Sequence, residues 1–197
     1  MARDPMLTLA RTAKTNRAWC RQPRGILYER ERWTVASDGR AIVAARRAKA
    51  ADEHSGECAT DTHAILDTIT DAGTPMRLPA LRQFARRRLA PKRRCESCYR
   101  QGMKARAECF GCFGLGTIQP GTPVRVCGEM VDLKYLQRVL ATAPKTLAIV
   151  RVQIVRSGGT NPMLALYATR WRAGIMGFIP SLEETPETIP AFPKDAP

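Results

Sequence analysis

Between Cys95 and Gly116 the chain reads CESCYRQGMKARAECFGCFGLG. Two CxxC pairs, Cys95/Cys98 and Cys109/Cys112, stand on either side of a short, polar, basic loop. Two residues between thiols let both sulfurs of one tight turn reach the same ion, and two such turns complete a tetrahedron. The spacing therefore predicts one structural zinc held by Cys95, Cys98, Cys109 and Cys112. Thiol redox chemistry is the competing reading of CxxC, but it needs one exposed pair and no second pair at metal spacing. Four cysteines fill zinc's coordination sphere and leave no place for a catalytic water. No Ser/His/Asp or paired-carboxylate constellation stands out elsewhere, so a non-enzymatic protein is expected.

The second half of this stretch, CFGCFGLG, resembles the CxxCxGxG repeat of the DnaJ-type cysteine-rich domain. The first half departs from that pattern, because Cys98 is followed by Tyr99-Arg100-Gln101-Gly102. The resemblance covers this stretch alone and implies one zinc in a small hairpin-like knuckle.

The 197 residues suffice for one well-cored domain plus an insertion. A formal charge of +14, from 32 Lys and Arg against 18 Asp and Glu, in a chain that is 44% apolar, describes a folded basic protein suited to a polyanion. No apolar run approaches the length of a membrane span and the N-terminus lacks an apolar signal core, so a cytoplasmic protein is expected. Seven cysteines, four of them at zinc spacing, fit a reducing compartment.

Residues 5 to 18 read as a helix opened by Asp4-Pro5, with Met6, Leu9, Ala10, Ala13 and Ala18 on one face and Arg11, Lys14 and Arg17 on another. Alternation at Ile26, Tyr28, Trp33 and Val35 predicts strands in an antiparallel meander, with Ser37-Asp38-Gly39 turning into Ala41–Ala45. Residues 48 to 60 read as a loop. His54, Cys58 and His63 suggest a second metal site, but their spacing matches no ligand pattern and they read better as ordinary polar residues.

A helix is expected from Asp61 through Ala64, Ile65, Leu66 and Ile69 to Gly73, and a second over PALRQFARRRLAPKRR from Pro79. On the second, Leu81, Phe84, Ala85 and Leu89 form an apolar stripe, while Arg82, Arg86, Arg87, Arg88, Lys92, Arg93 and Arg94 crowd the rest. Such like charges repel unless a polyanion or acidic neighbours compensate. A solvated face and nucleic-acid contact explain them equally; continuity with Arg100, Lys104 and Arg106 of the knuckle favours contact.

Downstream, VRVCGEM reads as one short buried strand with Cys127 in the core. Residues 130 to 142 form the clearest amphipathic helix, with Val131, Tyr135, Leu136, Val139 and Leu140 inward and Lys134 and Arg138 outward. TLAIVRVQIV, MLALYATRW and RAGIMGFI read as three strands, the last two joined at Arg172-Ala173-Gly174. The acidic, proline-rich residues 183–197 predict a disordered tail.

Two of these stretches together resemble one domain of the bacterial DNA polymerase sliding clamp, the β subunit. The first is the leading helix followed by RGILYERERWTVASDGRAIVAA. The second runs from VRVCGEMVDLKYLQRVLATAPKTLAIVRVQIV through GIMGFIP. The resemblance covers residues 5 to 55 and 122 to 182 and implies an α+β clamp-like domain, two helices packed on antiparallel sheets. The organisation would be 1–55 and 121–182 as its two halves, 56–120 as inserted helices and zinc knuckle, and 183–197 as the tail. In clamps the helices line a channel and offer basic side chains to DNA phosphates, which implies that role for Arg11, Lys14, Arg17, Lys134 and Arg138. A clamp subunit carries three such domains and closes its ring as a dimer, so a ring of this chain would take about six copies. The last strand ends in Phe178-Ile179-Pro180, where clamps carry a methionine-rich pattern. The expected function is sequence-independent, processivity-factor-like DNA binding in a bacterial or phage protein that self-associates. The alternative is an adaptor or regulator that uses the knuckle to hold a protein partner, including a replication protein.

Overall fold

The computed structural model describes residues 5, 6, 9, 23–46, 61–96, 117, 118, 120–156, 162–177, 191 and 192. These divide into two compact units, Met1–Arg86 with Pro123–Pro197, and Arg87–Thr122.

In the larger unit, β1 (Arg24–Tyr28), β2 (Glu31–Ser37) and β3 (Ala41–Arg46) form a meander. Its first turn is tight: Tyr28 pairs with Glu31, and Glu29 and Arg30 take positive φ of 51° and 62°. That mirror-image turn matches the twist of the flanking strands, though L-residues adopt it at a cost. The second turn is built by its own side chains. Asp38 Oδ1 accepts from the Ala41 and Arg40 amides at 2.9 and 3.0 Å, and Ser37 Oγ donates to the Ala41 carbonyl.

A second meander, β9 (Ile149–Val155), β10 (Met163–Ala168) and β11 (Trp171–Met176), follows a helix. The meanders join antiparallel through their last strands, Ala173 opposite Val43, and β4 (Thr74–Arg77) is added beyond β9. The sheet runs β1-β2-β3-β11-β10-β9-β4. Its centre is a near-twofold repeat of strand meanders. Ahead of β1, in the stretch expected to be helical, the described residues Pro5, Met6 and Leu9 are helical, and Met6 and Leu9 are buried.

Three helices flank the sheet among the described residues: α1 (Asp61–Thr68), α2 (Leu78–Ala85) and α3 (Leu133–Thr142). α1 covers one face, where Leu66 and Ile69 pack with Ile26, Trp33, Val35, Ile42, Ala44 and Ala165. α3 packs on β3 and β11 from the other face, burying Leu133, Leu136, Val139 and Leu140, and α2 packs on α3 and β4. The central strands β3 and β11 are thus covered twice, and five successive residues of each are buried.

Several expectations are revised. α1 ends at Thr68 rather than Gly73, and the chain then turns to form β4, which shows no alternation to announce it. α2 stops at Ala85 rather than running to Arg94, since continuing would stack Arg86, Arg87 and Arg88 beside Arg82 ahead of Pro91. α1, β4 and α2, whose residues lie within the expected 56–120 segment, pack with the sheet in the larger unit. VRVCGEM is not one strand but the hairpin of β7 (Pro123–Val126) and β8 (Glu129–Asp132). Cys127 and Gly128 form its turn at φ of 52° and 85°, so Cys127 is partly exposed rather than a core residue. α3 begins only after Asp132, whose carboxylate accepts from the Lys134 amide at 3.0 Å and caps the helix. The last hairpin turns at Thr169-Arg170, leaving Arg172, Ala173 and Gly174 inside β11. Within the tail, Phe192 is buried edge-on against Phe84, 5.4 Å between ring centroids, and its amide donates to the Arg125 carbonyl at 2.7 Å.

In the smaller unit, β5 (Arg93–Arg94) pairs antiparallel with β6 (Thr117–Ile118), and the Ala90 amide donates to Thr122 Oγ1 at 2.8 Å. The ribbon sets the two ends of the cysteine-rich segment side by side, Arg94 opposite Thr117.

Candidate nucleic-acid interface

In the smaller unit Arg87, Arg88, Lys92, Arg93 and Arg94 are all exposed. The chain carries no carboxylate between Asp71 and Glu96, so positive charge dominates this stretch of sequence up to Arg94. Arg93 and Arg94 alternate along the β5 ribbon immediately before the buried Cys95.

The larger unit treats its predicted cations differently. Arg82 leaves the exposed set: its Nη2 donates to the Ala143 and Pro144 carbonyls at 2.8 and 3.2 Å, capping the C-terminus of α3. Gln137 donates to the Ala85 carbonyl at 2.7 Å and ties the same two helices together. Arg86 is exposed and its amide closes the end of α2 on the Gln83 carbonyl.

On α3, Lys134 and Arg138 flank Tyr135, their cationic groups 4.6 and 5.7 Å from its ring centroid. Each also meets a carboxylate that is almost wholly buried: Lys134 Nζ lies 3.2 Å from Asp132, and Arg138 Nη1 lies 3.3 Å from Asp38. Burial, and then the Asp38 charge, raise the Tyr135 pKa above the ordinary phenol range, so the ring is neutral at physiological pH. The helix face implied to meet phosphates is therefore half-neutralised from within. Arg11, Lys14 and Arg17 lie outside the described residues.

Of the expected zinc ligands, Cys95 is described and is 3% exposed, at the root of the β5–β6 ribbon; Cys98, Cys109 and Cys112 lie outside the described residues. A buried thiol where the ribbon returns the chain to its start fits one corner of a structural zinc site. Cys95, Cys98, Cys109 and Cys112 would hold the ion, whose chemistry there is to staple the knuckle. His63 is exposed on α1, its ring 5.8 Å from that of Tyr28; His54 and Cys58 lie outside the described residues.

One charged centre is not announced by the sequence, in which Arg172-Ala173-Gly174 reads as a turn. Arg172 is buried in β11, its guanidinium 4.9, 5.4 and 5.1 Å from the ring centroids of Tyr28, Trp33 and Tyr167. It donates to Glu29 Oε1 at 2.7 Å and to Tyr28 Oη at 2.8 Å, and Tyr28 donates to Asp67 at 2.7 Å. Burial, with the Asp67 hydrogen bond next, pushes the Tyr28 pKa up to about 12. The only local sequence signal was an arginine between Trp171 and Ala173 in an apolar run. This centre holds α1, the β1–β2 turn and β11 together, and is structural.

No protein-family model matches the chain, and no curated protein does. Among solved structures the chain is similar to the DNA polymerase III β subunit of Thermotoga maritima, at 10% identity and a TM-score of 0.44, over 90% of this chain and 62% of that one. The chain thus spans less than two thirds of that protein's length.

Proposed function

We propose that this chain is a non-enzymatic, zinc-stapled protein that holds DNA by its phosphates without reading bases, on a domain resembling one domain of the sliding clamp. The observation that carries this is the exposed run Arg87, Arg88, Lys92, Arg93 and Arg94, five cations within eight positions of a stretch that holds no carboxylate between Asp71 and Glu96. Such a run is self-repelling in isolation and is stabilised by a polyanion that releases its counterions. The repeated strand meanders and the sequence resemblance support the clamp-like part of the reading. The implied homo-oligomer belongs to it as well.

A second reading, an adaptor on the same fold, is favoured by β4. In a head-to-tail ring of one-domain chains each sheet would offer both edges, β1 on one side and β9 on the other. Here β4 covers β9, and its Pro75 has no amide hydrogen to give a further strand. Light scattering of the zinc-loaded protein, with and without duplex DNA at low and moderate salt, tests both. A closed assembly of about six chains supports a ring. A monomer or dimer whose DNA complex dissolves steeply with salt supports an open phosphate-binding protein. A monomer that ignores DNA overturns the DNA reading and leaves the adaptor.

A further inference from the structure

At the end of the sheet where β3 and β10 finish and β9 and β11 begin lies an open cavity of about 670 Å³. Among the described residues three arginines line it, Arg46, Arg151 and Arg170, and no carboxylate does. Arg46 is shared with Glu31 at 2.8 Å and Arg151 leans on the Gly73 carbonyl at 3.3 Å. Arg170, at the tip of the β10–β11 turn, is exposed and forms no ion pair with a described residue. Leu147 and Ile149 line it as well, the latter 56% exposed although large and aliphatic.

We propose that this cavity docks a peptide segment of a protein partner that presents an aliphatic side chain flanked by carboxylates. Charge complementarity sets the flanks, since the described rim holds three arginines, of which Arg46 is paired with Glu31 and Arg170 is exposed, and so favours an anion. The floor sets the centre: burying the exposed Ile149 against an aliphatic side chain removes apolar surface from water on both partners. A nucleobase fits less well, because stacking needs an open aromatic face. The two rings lining the cavity do not supply one: Trp171 is fully buried with its indole N–H on Thr142 Oγ1, and Tyr167 is already faced by Arg172 at 5.1 Å. The site involves none of the cations invoked for DNA, so the two readings stand or fall separately.

The test is selection of peptides from a random phage-displayed library on the immobilised full-length, zinc-loaded protein. The enriched sequences are then synthesised with a fluorescent label and titrated by anisotropy. The expected result is enrichment of acidic peptides with a Leu or Ile, whose Kd rises at least tenfold for Arg170→Glu and for Ile149→Asp. Both residues are exposed, so an unchanged melting temperature shows that the variants remain folded. Leu27→Asp, at an aliphatic residue 68% exposed and outside the cavity lining, should leave Kd unchanged. No enrichment, enriched peptides that bind Arg170→Glu and Ile149→Asp as tightly as the parent, or equal weakening by Leu27→Asp would each overturn the proposal. So would a labelled single-stranded oligonucleotide that alone loses affinity in the two cavity variants, which would make the cavity a nucleic-acid site.

Discussion

Arg172 donates to the phenol oxygen of Tyr28 at 2.8 Å although the two residues stand 144 positions apart. The contact joins the second strand meander to the first and, through Asp67, to α1. Much of the value of Arg172 lies in the space its side chain fills among three rings, and its Nε is buried without a hydrogen-bond partner. Arg172→Ala should therefore cost about 3 kcal/mol, whereas Arg172→Met, which keeps the volume and removes the unpartnered nitrogen, should cost about 1 kcal/mol or less. Urea melts of the two variants check the ordering; equal losses would place the energy in the charge.

The Tyr28 phenol also gives the protein an alkaline limit. Its pKa is raised from 10.0 to about 12, so the folded state holds this proton more tightly than the unfolded chain. That contribution is complete below pH 10 and is lost as pH rises through about 12. Thermal melts from pH 9 upward should show stability falling across that window, and Tyr28→Phe should flatten this part of the profile while lowering stability at neutral pH.

At Gly73 the backbone runs against β9: a Cβ there would stand 2.5 Å from the Val152 carbonyl oxygen. Backbone cannot yield as a flexible side chain would. Gly73→Ala should cost about 2 kcal/mol by forcing β4 away from β9. Chemical denaturation measures the loss, and faster amide exchange in β4 would locate it.

Removing zinc should unfold the knuckle and leave the sheet. Cys109→Ser, or a strong chelator, should abolish the one expected zinc per chain and eliminate any separate melting transition of the smaller unit. Structural zinc supplies on the order of 10 kcal/mol in small modules. A Cys109→Ser variant that kept its zinc and its melting profile would refute the site.

For DNA, the logarithmic salt dependence of the association constant should lose about one unit of slope for each phosphate contact removed. Arg93→Gln and Arg94→Gln should each do so. Lys134→Gln should change the slope much less, because that ammonium already has Asp132 at 3.2 Å. Equal effects at all three positions would return α3 to the interface.

Much of the fold was legible where one face of an element is wet. The alternation of Ile26, Tyr28, Trp33 and Val35 and the Ser37-Asp38-Gly39 turn announced the first meander, and the apolar stripe of Leu136, Val139 and Leu140 announced α3. Where both faces are covered the pattern vanishes. In β11, buried from Trp171 to Ile175, the start of the strand was mistaken for a turn. β4 is short and mostly exposed, and only its pairing with β9 makes it a strand. The candidate interface divided in the same way: the sequence counted the cations, and counting could not separate exposed Arg93 from Arg138, which meets a carboxylate 100 residues earlier.

By itself the sequence determined the sign of the protein's surface, the cysteine spacing that predicts zinc, and the local turns and caps, because each depends on residues within a few positions of one another. The tertiary structure alone decided which arginines remain outward, which become helix caps or sandwiched core cations, and that three of them line one pocket with Leu147 and Ile149 at one end of the sheet. Those outcomes depend on partners brought from 61 to 144 positions away, such as Ala143 to Arg82 and Tyr28 to Arg172, and local pattern carries no record of them.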